Sequence, residues 1–288
     1  MTEPVGDGRT SPLEAVGWTA LYLVTGAALT IALSLGMILL TGGPRSPADS
    51  PRNLAIQTAA GLLGYGFLTW AIGLRTLRLT VADLRWSPLS EAGRGFGRGF
   101  VLGAVPAILA VGLALVAGQS VLTRDQGSAG LYLERLALTA MLLAPAALLE
   151  EIIFRGVGQV VLARAIGRLP AILCLSAPFA LAHLLNPNGT VLGFLNIGFA
   201  GILLGIAFYM PGGIWSAWGV HLGWNMGLAA LDAPVSGLPF RIPVVDYVPG
   251  GPGWLTGGRF GPEGGLVATL AIALATTIAW RRRTKERT

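Results

Sequence analysis

The chain has 288 residues, 53% of them hydrophobic and only 12% charged, with a formal net charge of +6 and a mean hydropathy of +0.67. Soluble domains carry roughly 25% charged residues, so this composition excludes an ordinary soluble enzyme and indicates a polytopic membrane protein. The surplus charge is arginine, with Lys285 the only lysine, and it flanks apolar runs; membrane topology and anionic lipid account for it better than nucleic acid does.

In chain order, residues 1–15 are polar and read as a disordered tail. Val16–Leu40 is a first membrane span, too long and too poorly preceded by basic residues for a signal peptide. Thr41–Asn53, with three prolines and two glycines, is a loop. Leu54–Leu74 is a second span. Arg75–Arg98 carries five arginines and includes a short amphipathic stretch, Leu77–Trp86, expected to lie in the interface. Gly99–Gly118 is a third span, followed by a polar loop, Gln119–Gly130.

Leu133–Ile166 reads as one long helix of ~50 Å at 1.5 Å per residue, with Pro145 as a kink. Leu169–Leu185 ends at the turn Asn186-Pro187-Asn188-Gly189. Val191–Met210 and Ile214–Leu231 are separated by Pro211-Gly212-Gly213. Asp232–Glu263 is Gly/Pro-rich and without helical period, and its glycines lack the ending of a phosphate loop. Gly264–Trp280 is the last span, before a basic tail. The sole cysteine, Cys174, excludes an internal disulfide and reads as a small core residue.

The expected fold is therefore all-α, a transmembrane bundle of about eight spans. Its parts are the tail 1–15, N-terminal helices 16–132, a core 133–231, an extracytoplasmic loop 232–263, and a last span with a cytoplasmic tail 264–288. With both termini cytoplasmic, 14 of the 20 basic residues fall on the cytoplasmic side, as the positive-inside rule asks. The expected location is the bacterial inner membrane.

The chemistry concentrates in the core. Leu148-Leu149-Glu150-Glu151-Ile152-Ile153-Phe154-Arg155-Gly156 puts three charges into an apolar run. A charge at bilayer depth costs at least ~2.5–3.5 kcal/mol on insertion scales, so intramembrane ionisable groups mark function by default. The only two histidines, His183 and His221, also lie in apolar runs. Glu151 and Arg155 are spaced i,i+4 in the better orientation for a helical ion pair. Glu150 has no such partner on its own helix and points about 100° away, which makes it the candidate general base. His221 and Asn225, also i,i+4, share a face and can both donate to a developing oxyanion. His183 could share a water with Glu150.

These three motifs, Glu150-Glu151-x-x-x-Arg155, Phe179-x-x-x-His183 and His221-x-x-x-Asn225, resemble in residue and order the CAAX-protease and bacteriocin-processing (CPBP, or ABI) family of intramembrane proteases. The resemblance covers roughly Leu133 to Leu231 and includes Phe154 beside Arg155. It implies an intramembrane endopeptidase in which Glu150 and His183 activate water and His221 and Asn225 stabilise the oxyanion. The implied partners are the bilayer and a membrane-associated peptide or protein. The family has been described both as glutamate-type and as metalloprotease. The expectation here is catalysis without a cofactor; the alternative is Zn²⁺ held by Glu150, His183 and His221. A non-enzymatic immunity or transport protein is the remaining reading; a transporter would be expected to carry an internal repeat, and the sequence has none.

Overall fold

The computed structural model describes residues 10–43 and 50–283, so residues 1–9 of the expected tail and the last basic residues lie outside the described part. The architecture is an all-α bundle with one very small sheet. Four helical stretches among the described residues are long and apolar enough to cross a membrane: Pro12–Leu40, Pro51–Thr76, Leu89–Gly118 and Ala129–Ile166.

Local chemistry sets the helix starts. α1 (Pro12–Leu40) begins ahead of the expected Val16 because Ser11 and Glu14 form a capping box and Pro12 occupies the first turn. α2 (Pro51–Leu68) is capped by Ser50 and continues as a π-helical turn, Thr69–Thr76. The amphipathic stretch Leu77–Trp86 is a set of turns held by Asp83 accepting from the Thr80 backbone and hydroxyl, each at 2.8 Å. Competing side-chain hydrogen bonds of this kind favour turns over helix.

α3 (Leu89–Gly118) starts well before the expected Gly99. Gly95, Gly99 and Gly103 repeat every fourth residue and lie against Ser216, Val220 and Trp224 of α8 (Ile214–Ala229), while Gly219, Gly223 and Gly227 of α8 lie against Phe96, Phe100 and Ala104 of α3. A Cβ on Gly103 would lie 2.0 Å from the Val220 carbonyl, and one on Gly223 2.1 Å from the Phe100 carbonyl. Small residues at this spacing let two helices approach backbone to backbone in lipid. The run is therefore a packing face and not a linker, and it fixes the helix that carries His221.

The expected single helix Leu133–Ile166 is two: α4 (Ala129–Arg155) and α5 (Val157–Ile166). The break is at Gly156, with φ −73° and ψ −123°, where a Cβ would sit 2.4 Å from the Ile152 carbonyl. α6 (Arg168–Leu181) and α7 (Val191–Ala207) follow, and α7 is capped by Thr190. After α8, the stretch 232–263 is far from structureless. It contains β2 (Val245–Val248), paired antiparallel with β1 (Val121–Arg124), and a single turn, α9 (Gly253–Thr256). The chain closes with α10 (Leu266–Arg282).

Outward faces are apolar: Val105, Val116, Met141 and Leu270 are 60%, 90%, 72% and 56% exposed. Such a belt suits lipid contact. Cys174 belongs to this exterior, not to the core as expected.

Candidate active site

Every candidate residue of the core motifs reaches one region of the bundle. Glu150 and Glu151 lie in the last turns of α4, just before the Gly156 break. His221 and Asn225 lie one turn apart on α8. His183 is not inside a span as expected; it sits on a turn just past the end of α6. Its backbone N–H donates to the Ala180 carbonyl at 3.1 Å, and its Nδ1–H donates to the Phe179 carbonyl at 2.8 Å.

The two glutamates separate cleanly. Glu151 is fully buried, and its Oε1 meets the Arg155 guanidinium at 3.4 Å, as the i,i+4 spacing predicts. The same oxygen accepts the Nδ1–H of His221 at 2.8 Å. Spacing along one helix could not reveal this second bond, which joins α4 to α8. Arg155 also donates to the Gly201 carbonyl of α7 at 3.0 Å, and its guanidinium carbon lies 4.4 Å from the centroid of Phe179. Phe179 meets Phe154 edge to face at 5.2 Å and His183 at 5.0 Å between centroids. Phe179 thereby fixes Arg155 and His183 in one packing unit, and Phe154 braces it.

Glu150 faces a cavity. Its side chain is 30% exposed, and its Oε2 lies 3.7 Å from His183 Nε2 and 3.8 Å from His221 Nε2. These separations exceed a direct hydrogen bond and suit one bridging atom. Oε2 is buried and has no hydrogen-bond partner among the described residues. Both imidazoles commit their Nδ1–H elsewhere, one to a carbonyl and one to a carboxylate. In the neutral form each therefore presents a bare Nε2 to Glu150.

The cavity measures about 790 Å³ and is walled by α1, α2, α4, α6 and α8. This size falls in the range of ligand sites. Glu150, His183, His221 and Asn225 supply its polar groups beside apolar Leu23, Ile31 and Leu54. A strap from the 232–263 stretch closes one side: Val235, Ser236, Leu238 and Phe240 line it.

Sequence reasoning missed what holds the strap. Glu263 is buried. It accepts the Trp224 indole N–H at 3.0 Å, the Ser236 hydroxyl at 3.4 Å, and the Ser236 backbone N–H. Asn186, just past His183, donates to the Ser236 carbonyl at 3.0 Å. Asn196 donates to the carbonyls of Glu263 and Gly265 at 2.8 and 2.9 Å, and accepts from Thr269 at 2.7 Å. Burial pushes the Glu263 carboxyl above its usual range, while its bonds to Ser236 and Trp224 pull the other way. A carboxylate inside a Gly/Pro-rich run was the available signal.

The family resemblance raises zinc, whose donors would be Glu150, His183 and His221. Their two imidazoles are anchored at Nδ1 as metal-bound histidines are. Among the described residues no group of three His, Cys, Asp or Glu side chains is arranged as a metal site.

Residues 132–227 match the family described as type II CAAX prenyl endopeptidase, Rce1-like. No curated protein and no solved structure matches the chain.

Proposed function

We propose, for a chain whose residues 132–227 place it in the CAAX-protease (CPBP) family, a specific role for each polar group in peptide hydrolysis within the membrane. One observation carries the reading: a carboxylate oxygen without a partner faces two imidazole Nε2 atoms across 3.7 and 3.8 Å at the wall of a cavity. A water between them donates to Glu150 and to His183 Nε2. Glu150 removes its proton as the oxygen attacks a peptide carbonyl. Asn225 and His221 face the oxyanion that forms.

The second bond of Glu151 gives that residue a task beyond pairing Arg155. For His221 to donate to an oxyanion it must carry a proton on Nε2, because its Nδ1–H is committed to Glu151. The resulting imidazolium needs a counter-charge, and Glu151 supplies it at 2.8 Å. Arg155 in turn holds the Glu151 carboxylate in place at 3.4 Å. The leaving amine takes a proton from Glu150, returning the site to its starting state.

Two expected outcomes test this reading. Purified, cleavage-competent protein should contain well under one equivalent of Zn²⁺, and its cleavage rate should survive chelation. Stoichiometric zinc, with activity lost on chelation and restored by Zn²⁺, would promote the metalloprotease alternative. The placement proposed is the bacterial inner membrane, multi-pass, with both termini cytoplasmic. Reporter fusions after Arg98 and after Arg287 should both read cytoplasmic, and a periplasmic signal at either would contradict that placement.

A further inference from the structure

The two ends of the bundle differ in charge and in access to the candidate site. At one end, Asp83 pairs with Arg164, Arg85 donates to the Phe208 carbonyl at 2.8 Å, and the Ile214 N–H donates to the Arg85 carbonyl at 3.1 Å. These contacts gather the 77–88 turns, the end of α5 and the α7–α8 turn. Arg75, Arg78, Arg94, Arg98 and Arg168 belong to the same end. At the opposite end β1 meets β2, Gly250 donates to Ser120 Oγ at 3.1 Å, and Asn186 holds Ser236.

Arg155 is buried against Glu151, so it leaves the loop-charge tally. Thirteen of the twenty basic residues then belong by sequence to the first end and six to the second. The positive-inside rule puts the first end in the cytoplasm.

Access runs the other way. Toward the arginine-rich end the site is floored by Val157, Gln159, Arg155 and Phe208, at 0%, 1%, 2% and 1% exposure. A separate cavity of about 300 Å³ at that end, lined by Val81, Leu84 and Ile152 among others, contains none of the candidate catalytic groups. Toward the opposite end the cavity is lined by Leu54 and Gln57 near the start of α2, by His183 and Asn186 past the end of α6, and by the strap. Its walls there are mostly apolar, with polar atoms confined to the reacting groups and a few side chains.

We infer that the candidate site opens to the extracytoplasmic half of the membrane, and that its substrate is the apolar, membrane-proximal segment of an exported peptide or protein. This rests on the peptidase reading above and adds the side from which the substrate comes. A chain tethered on the cytoplasmic face meets the closed floor. A segment anchored in the outer half of the bilayer can lie along Leu54, Ile31 and Leu181 and present one peptide bond to Glu150.

The test uses full-length protein with the lone cysteine replaced, Cys174→Ser, in right-side-out spheroplasts. Gln126→Cys and Ala82→Cys add single reporters at exposed positions on the two ends; neither residue belongs to the site. A membrane-impermeant maleimide should label Gln126→Cys in intact spheroplasts, and Ala82→Cys only after lysis. In parallel, new N-termini that depend on Glu150 should map to exported, membrane-proximal segments. Reversed labelling overturns the orientation, whatever is cleaved. Labelling as expected, with Glu150-dependent ends in cytoplasmic segments, overturns the substrate class and leaves the peptidase reading standing. Labelling as expected with no Glu150-dependent ends anywhere removes the peptidase reading itself, and the substrate inference with it.

Discussion

A Glu150→Gln variant is expected to keep its detergent melting temperature and to lose nearly all cleavage. Glutamine preserves the shape and one acceptor oxygen but cannot take a proton from water. General-base help contributes roughly 10²–10⁴-fold, so the loss should reach that scale. Stability should hold because Glu150 is 30% exposed, its Oε2 has no hydrogen-bond donor among the described residues, and the His221 imidazole 3.8 Å away keeps Glu151 at 2.8 Å as its counter-charge. Removing charge from such a group relieves desolvation instead of orphaning a partner. Melting temperature and initial rate on the same preparation decide it. An active variant would remove Glu150 from the role of base.

Glu151→Gln is expected to behave in the opposite way with respect to stability. Its carboxylate is fully buried and serves two partners, Arg155 at 3.4 Å and His221 at 2.8 Å. Neutralising it leaves a guanidinium at 2% exposure without a counter-charge. Breaking a buried pair in this manner costs about 3–5 kcal/mol. Arg155 cannot escape to the interface, since it is stacked on Phe179 and bonded to Gly201. The variant should therefore show a lowered melting temperature or yield, together with lost activity as the His221 imidazolium loses its counter-charge. A stable, inactive Glu151→Gln beside an active Glu150→Gln would exchange the two assignments.

The contrast between these glutamates marks how far the sequence alone could be read. The i,i+4 spacing of Glu151 and Arg155 predicts their ion pair because helix geometry fixes neighbours on one helix. The Glu151–His221 bond joins residues seventy apart, and no periodicity encodes it. Helix existence was legible from apolar runs long enough to span. The start of α3 reads too late, at Gly99, because the stretch before it with Gly95 looks helix-poor, yet Gly95 continues the face that Gly99 and Gly103 present to the segment carrying α8. Their four-residue spacing was the missed signal. His183 appeared to lie within a span because the apolar run continues past the last helical residue, whereas the chain turns there to aim Nε2 at Glu150. The 232–263 stretch was opaque for a different reason. Its order comes from long-range bonds of Glu263, Ser236 and the β1–β2 pair, and Gly/Pro content reports only the lack of regular helix.

The central claim is that this cavity hydrolyses a peptide bond with Glu150 as base. The most direct measurement compares membrane proteomes of cells expressing wild type or Glu150→Gln at equal levels, then returns the accumulated uncut protein to each purified enzyme in detergent. The account predicts one or more uncut proteins that accumulate only with Glu150→Gln and that purified wild type, but not the variant, cleaves at a single membrane-proximal site. Identical proteomes in the two strains, or cleavage in vitro by both proteins alike, would contradict it.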